Sequence, residues 1–169
     1  MVNAIIYTTN TGSTAKYAKL LAHETDLPVF SLDEAKRKVP NQTEIIYLGW
    51  VMAGKVKGYE TAAKQYHVMA VCAVGMGKTE IPTGDARQKS NVPASMPLFN
   101  LQGNFNLKKL HGIYRLMMSI MIKTVGKQLA AKTDRTPDEE DMLDMMLHGV
   151  NRISVENLKA VLEWYCTQE

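Results

Sequence analysis

Short apolar runs alternate with helix-like stretches along the first hundred residues. Runs at 44–50 and 67–74 are apolar almost throughout, which is typical of strands buried on both faces of a parallel sheet. The predicted strands lie at residues 4–8, 28–32, 44–50, 67–74 and 97–102. Helical composition at 15–22 and 58–66 separates them. This alternation predicts an α/β fold with a parallel sheet covered by helices on both faces.

The second half of the chain has a different pattern, with long helical stretches and most of the methionines. Helices are predicted at 107–129, 136–148 and 154–166. The second of these begins with an N-cap threonine, a proline and three acids, a favourable helix start. Residues 78–96 are polar and contain glycine and prolines, which predicts a loop.

A hydroxyl-rich turn joins the first strand to the first helix. Its residues are Thr9, Asn10, Thr11, Gly12, Ser13 and Thr14. Backbone N–H groups at a helix N-terminus favour an anion, and the hydroxyls add donors around it. The turn has no lysine and only one glycine, so it is neither a P-loop nor a dinucleotide fingerprint. A phosphate monoester such as that of FMN suits it, although such a turn could also simply cap a helix.

The hexad at 9–14 resembles the flavodoxin phosphate loop, Thr/Ser-x-Thr-Gly-x-Thr, placed directly after the first strand. The resemblance implies a flavodoxin-like three-layer sandwich that binds FMN, with a five-stranded parallel sheet of order 2-1-3-4-5. It also implies one domain over residues 1–169, with an added helical insertion at about 103–150 after strand 5. Ligands of such sheets lie at the carboxyl ends of the strands, beside strands 1 and 3.

In flavodoxins, the loops after strands 3 and 4 border the flavin ring. The corresponding candidates here are Trp50, Val51, Met52, Ala53 and Gly54, followed by Gly75, Met76 and Gly77. The resemblance implies that a peptide near Met52, Ala53 and Gly54 can flip to hydrogen-bond the reduced ring. Alternatively, Trp50 caps the core and Gly54 only turns the chain. The second loop lacks the tyrosine that stacks on the ring in many flavodoxins.

The insertion carries Tyr114-Arg115 and, further on, Met121-Ile122-Lys123. This segment is similar to the inserted segment of flavodoxin-like bacterial protoporphyrinogen dehydrogenases, which act in heme biosynthesis. The resemblance implies a flat reduced substrate carrying carboxylates and a quinone-type acceptor, with Tyr114, Arg115 and Lys123 as substrate candidates. The alternatives are a methionine-rich contact between helices and a membrane-surface contact through the 107–129 helix.

Charge and composition narrow the classes of function. The chain has 169 residues and a net charge of +3, with a pI of about 8.8. This mild basic excess disfavours an acidic electron shuttle and suits an anionic substrate or a membrane surface. The basic residues are not clustered in an arm of the kind that binds nucleic acid. Cys72 and Cys166 lack metal-type spacing, and no metal site is predicted. With no secretory signal or membrane-spanning run, we expect a cytoplasmic protein, with peripheral membrane contact as an alternative.

Three functions remain open on these grounds. The first is an FMN-dependent oxidoreductase acting on protoporphyrinogen or a similar flat reduced molecule. The second is an electron-transfer flavodoxin that works with a redox partner protein. The third is a non-catalytic flavodoxin-like binding module.

Overall fold

The computed structural model describes residues 1–76, 84–104, 112–149 and 152–168. The chain divides into two compact units. The first unit comprises Met1–Gly103 and Ile153–Glu169, and the second comprises Asn104–Arg152.

A mainly parallel sheet forms the centre of the first unit. Its strands are β1 (Ala4–Tyr7), β2 (Val29–Ser31), β3 (Glu44–Met52), β4 (Lys55–Val56), β5 (His67–Gly75) and β6 (Leu98–Gln102). The order is β2-β1-β3-β5-β6, and β4 pairs antiparallel with the end of β3. The predicted α/β class is therefore confirmed, as is the order of the five parallel strands.

Helices and short helical turns connect these strands and build the second unit. The α-helices formed by the described residues are α1 (Ser13–Thr25), α2 (Leu32–Lys38), α3 (Tyr59–Gln65), α4 (Gly84–Lys89), α5 (Gly112–Met121), α6 (Lys127–Ala131), α7 (Pro137–His148) and α8 (Lys159–Cys166). A π-helical segment, Ile122–Gly126, joins α5 to α6, and a 3₁₀ turn, Glu156–Leu158, precedes α8.

Successive side chains of the central strands point to opposite faces, so the sheet has two apolar cores. On one face, Ile45 and Tyr47 pack with residues of α2, α3 and α4. On the other face, Ile46, Leu48 and Cys72 pack with α1 and α8. The near-continuous apolar runs of β3 and β5 are explained by this burial on both sides.

Two stretches differ from the sequence prediction. Residues 51–56, expected to form the loop after the strand predicted at 44–50, instead continue β3 and turn back as β4 through Ala53 and Gly54, whose φ angles are 49° and 76°. Positive φ at both turn positions fits a tight hairpin, but Ala-Gly is not a strong signal for one. The predicted loop 78–96 contains α4, a six-residue helix too short to show periodicity.

The second unit is a helical hairpin. Helical residues run from 112 to 131, and the predicted residues 107–111 lie outside the described part. The predicted second helix is confirmed, with Thr136 and Glu139 forming a reciprocal capping box. Arg135 Nη1 donates to the carbonyl of Leu129, 3.0 Å away, which ties the turn to the end of α6.

Candidate functional site

The turn after β1 lies at the carboxyl edge of the sheet. The Thr8 amide donates to the Leu48 carbonyl at 3.0 Å, which holds the start of the turn against β3. Gly12 then takes the N-cap position of α1 with φ of 94°, a conformation that favours glycine. Its amide donates to Thr9 Oγ1 at 3.0 Å. The chain order reverses between β1 and β3, where ligands of open α/β sheets bind.

Two polar atoms in this turn are buried without a hydrogen-bond partner in the described part of the chain: Asn10 Nδ2 and Thr14 Oγ1. Thr14 is only 1% exposed. Leaving such a group unpaired costs about 1–3 kcal/mol, so a native fold normally satisfies it. A Cβ at Gly12 would meet nothing within 4 Å, so open space adjoins the turn. The turn therefore fits a small anion with acceptor oxygens.

The remaining predicted residues of the turn differ in burial. Ser13 is buried at the first helical position, while Thr11 is half-buried and Thr9 is exposed. The first turn of α1 carries no acid, so the partial positive charge of the helix N-terminus is not cancelled there.

A second threonine at the same strand end has its hydrogen bonds satisfied. Thr8 Oγ1 lies 2.7 Å from the Lys57 carbonyl oxygen and 2.9 Å from Tyr47 Oη, and the Tyr47 hydroxyl also donates to that carbonyl at 2.7 Å. Burial raises the pKa of the Tyr47 hydroxyl, which keeps it protonated as a donor. Sequence reasoning missed this network because its members come from the residue after β1, from β3 and from the segment after β4.

The predicted ring-contact residues after β3 lie on the hairpin. Trp50, Val51 and Met52 are half-buried strand residues, whereas Ala53 and Gly54 form its turn. Lys57 Nζ lies 6.0 Å from the centroid of the Trp50 ring, within range of a cation–π interaction. The hairpin thus presents an aromatic ring and a cation at the carboxyl end of β3.

The predicted residues after β5 lie beside this hairpin. A Cβ at Gly75 would lie 3.5 Å from Val51 Cβ, and the Gly75 carbonyl accepts from the Gly103 amide at 2.7 Å. Met76 is half-buried, and Gly77 lies outside the described residues. The ends of β1, β3 and β5 therefore bring the turn, the hairpin and Gly75 to one edge of the sheet.

Tyr17 fixes the first helix behind the turn. Its hydroxyl donates to the Gln102 carbonyl at 2.5 Å and accepts from Asn157 Nδ2 at 2.7 Å. These bonds join α1 to the end of β6 and to the turn before α8.

The substrate candidates of the insertion belong to the second unit. Tyr114 and Arg115 lie on α5, and Lys123 lies in the π segment. Arg115 and Lys123 are exposed, and Tyr114 is half-buried.

Comparisons of the chain with known protein families, with curated protein sequences and with solved structures find no match. Among the described residues, no helix is both long and apolar enough to cross a membrane. Within the same part of the chain, acidic, histidine and cysteine side chains form no group of three or more that could hold a metal ion.

Proposed function

We propose that the chain is an FMN-dependent oxidoreductase with a flavodoxin-like fold. The observation that carries this proposal is the pair of buried, unpartnered polar atoms, Asn10 Nδ2 and Thr14 Oγ1, at the N-terminus of α1. Both atoms can donate hydrogen bonds, which the oxygens of a phosphate accept. The position beside β1 and β3 is where open α/β sheets bind ligands.

A phosphate monoester fits this turn better than a longer phosphate chain. The donors are one amide, several hydroxyls and the backbone N–H groups of one helix, and the sequence of the turn contains no lysine. P-loops use a lysine to reach the outer phosphates of a triphosphate, and that group is missing here. The residues proposed to hold the FMN phosphate are Thr9, Asn10, Thr11, Gly12, Ser13 and Thr14.

The hairpin after β3 supports a flat ligand next to the turn. Trp50 provides an aromatic surface, and Ala53 has a φ of 49° that is unusual for a residue with a side chain. Unusual backbone of this kind is found at ligand clamps, and it suits a peptide that changes orientation with the ligand. Trp50, Val51, Met52, Ala53, Gly54, Gly75, Met76 and Gly77 are proposed to border the flavin ring.

The chemistry would be the cofactor's: in each turnover, two electrons and two protons would leave a reduced substrate and pass to a quinone-type acceptor. A flat substrate with carboxylates, such as protoporphyrinogen, follows from the resemblance of the inserted segment. Exposed Arg115 and Lys123 supply cations that could pair with those carboxylates. The basic pI disfavours the alternative of an acidic electron carrier.

The experiment that tests the proposal is the visible absorption spectrum of the purified protein before and after addition of FMN, with identification of any released flavin. We expect a flavin band and FMN as the released molecule. A colourless protein that does not bind added FMN would overturn the cofactor assignment and leave a non-catalytic binding module.

Anaerobic reduction of the flavin-loaded protein then tests the reaction class. Protoporphyrinogen should bleach the flavin band, and the Arg115→Ala variant should bind FMN normally but bleach more slowly. Reduction by a flavin reductase without any reduction by protoporphyrinogen would favour the electron-transfer flavodoxin.

A further inference from the structure

Lys57 lies between the two parts of the candidate site. Its amide donates to the Trp50 carbonyl at 2.9 Å. Its own carbonyl accepts from the hydroxyls of Thr8 and Tyr47, each at 2.7 Å. Thr8 directly precedes the turn at 9–14, and Trp50 belongs to the hairpin after β3. The backbone of Lys57 is therefore held from both sides, by the residue before the turn and by the aromatic residue of the hairpin.

The side chain of Lys57 is directed towards the Trp50 ring. Its Nζ lies 6.0 Å from the ring centroid, and the residue is half-buried. Within the described part of the chain, no carboxylate lies within ion-pair distance of this ammonium group. Lys55 on the same hairpin differs, because its Nζ pairs with Glu60 at 2.8 Å. Lys57 thus places an uncancelled positive charge where the flavin ring is proposed to bind.

Acids are missing from three segments of the sequence that form this edge of the sheet. Residues 1–23, 45–59 and 61–79 contain no Asp or Glu. These segments include β1, nearly all of β3, β5 and the residues that follow each strand. Glu60, which separates the second segment from the third, has its charge balanced by Lys55. The same three segments contain six lysines: Lys16, Lys19, Lys55, Lys57, Lys64 and Lys78.

The two acids that follow the neighbouring strand β2 are held by their own helix. Asp33 accepts from Lys36 Nζ at 2.8 Å, and Glu34 forms the capping box with Ser31. The last turn of α2 carries three basic residues, so the helix adds no net negative charge beside β1. The charges of all these segments make the carboxyl edge of the sheet electropositive.

We propose that Lys57 stabilises the negative charge that the flavin ring gains when bound FMN is reduced, an inference that rests on the proposed function. Reduction to the anionic form adds two electrons and one proton to the neutral ring, which leaves one negative charge on it. The reduced substrate supplies the electrons. A cation held beside the ring favours this charged form over the neutral oxidised form. Bound FMN is then a stronger oxidant than free FMN, which suits a protein that takes electrons from a substrate.

Coulomb's law gives the size of the effect. A unit charge at about 10 Å, with an effective dielectric constant of about 20, changes an equilibrium constant roughly tenfold. A tenfold change in the affinity for reduced FMN relative to oxidised FMN equals about 30 mV for a two-electron couple. The phosphate of FMN is the same group in both forms, so its own attraction to Lys57 cancels in the ratio of the two affinities.

Anaerobic titrations of the full chain with oxidised FMN and with dithionite-reduced FMN test the inference. In the original chain, reduced FMN should bind at least as tightly as oxidised FMN. Lys57→Met should weaken the binding of reduced FMN about tenfold more than that of oxidised FMN, which lowers the midpoint potential by about 30 mV. The substitution keeps the main-chain hydrogen bonds of this position, so binding of oxidised FMN reports an intact site.

Two further variants are matched controls. Lys57→Arg keeps the charge, and Lys64→Met removes the charge of an exposed lysine in the last turn of α3, which leads into the start of β5. Both should leave the ratio of the two affinities within about twofold of the original. An unchanged ratio in Lys57→Met, or an equal shift in Lys64→Met, would overturn the role of Lys57 and leave the FMN assignment intact. Failure of the original chain to bind either form of FMN would instead overturn the proposed function, and this inference with it.

Discussion

Thr8 and Thr14 stand six residues apart at the same edge of the sheet, yet their hydroxyls have opposite surroundings. The Thr8 hydroxyl lies within 2.9 Å of both Tyr47 Oη and the Lys57 carbonyl oxygen. The Thr14 hydroxyl is buried with no partner among the described residues. The first hydroxyl joins three segments of the fold. The second makes no hydrogen bond to the described residues, and we propose that a ligand supplies its partner.

The same contrast separates the N-termini of two helices. Helix α2 begins with a capping box in which Ser31 and Glu34 satisfy each other's backbone amides. Helix α1 begins after Gly12, which has no side chain to cap it. We infer that α2 is completed by its own residues, whereas α1 is completed by an anion.

The largest loss of stability is expected on substitution of Gly58, which packs against the hydrogen-bonded side chains of Thr8 and Tyr47. Gly58 has φ of 82°, and a Cβ there would collide with the Tyr47 hydroxyl and lie 2.6 Å from Thr8 Cγ2. Gly58→Ala should therefore lower the free energy of unfolding by about 3 kcal/mol or more, measured by urea denaturation. Gly12→Ala is the control, because its Cβ meets open space and only the backbone cost of about 1–2 kcal/mol remains. Similar losses of unfolding free energy in Gly58→Ala and Gly12→Ala would contradict this, because they would mean that Thr8 and Tyr47 move aside at little cost.

A pair of tyrosines sharpens the contrast between satisfied and unsatisfied hydroxyls. Tyr47→Phe removes a hydroxyl bonded to the Lys57 carbonyl and should cost about 1–2 kcal/mol of unfolding free energy. The Tyr66 hydroxyl is buried and has no partner among the described residues, so Tyr66→Phe should be neutral or slightly stabilising. Denaturation of both variants in urea measures the difference. A larger loss for Tyr66→Phe would contradict the hydrogen-bond assignment.

The two threonines themselves should respond in opposite directions in the absence of ligand. Thr8→Val removes a bonded hydroxyl and should lower the free energy of unfolding by about 1 kcal/mol. Thr14→Val replaces an unpaired buried hydroxyl by a methyl group, so stability should stay the same or rise by up to about 1 kcal/mol. Thermal unfolding of the flavin-free protein detects both changes. A clear loss for Thr14→Val would mean that its hydroxyl is structural.

The smallest effect concerns pH and the capping box of α2. The Ser31 hydroxyl and amide hold the pKa of Glu34 below its ordinary value. A lowered pKa stabilises the fold above the unfolded-state value of about 4.5 and loses that contribution as pH falls through the folded value. Glu34→Gln should therefore be slightly less stable than the original chain at pH 7, and this difference should shrink as pH falls below about 4.5. A difference that persists unchanged at low pH would contradict this cause.

The sheet was predictable because its strands are buried on both faces. The runs around Ile46 and Val71 are apolar without interruption, and their short length and their spacing between helix-like stretches favour buried strands over buried helices. The hairpin through Ala53 was not predictable, since its turn lacks the Asn-Gly or Asp-Gly signal and depends on pairing with the end of β3. Short α4 was missed for a similar reason, because it is held by tertiary contacts such as Arg87 with the Met96 carbonyl.

The candidate site was predictable as a turn but not as a set of contacts. Six consecutive residues at 9–14 show the donor-rich composition, so the site of the anion could be proposed from sequence alone. Which hydroxyl stays unpaired depends on neighbours far along the chain, such as Tyr47 and Lys57 for Thr8. Sequence spacing carries no information about partners that are about 40 residues away.

We propose that the unpaired donors of the turn, Asn10 Nδ2 and Thr14 Oγ1, hold the phosphate of FMN. The most direct measurement is the ratio of the dissociation constants of riboflavin and FMN, obtained by fluorescence titration of the chain and of its Thr14→Val variant. Thr25→Val is the matched control, since its hydroxyl donates to the Leu21 carbonyl at the far end of α1. We predict that FMN binds the original chain and Thr25→Val about a hundredfold or more tightly than riboflavin, and that Thr14→Val loses at least about tenfold of this preference. Equal affinity for FMN and riboflavin in the original chain would contradict the claim.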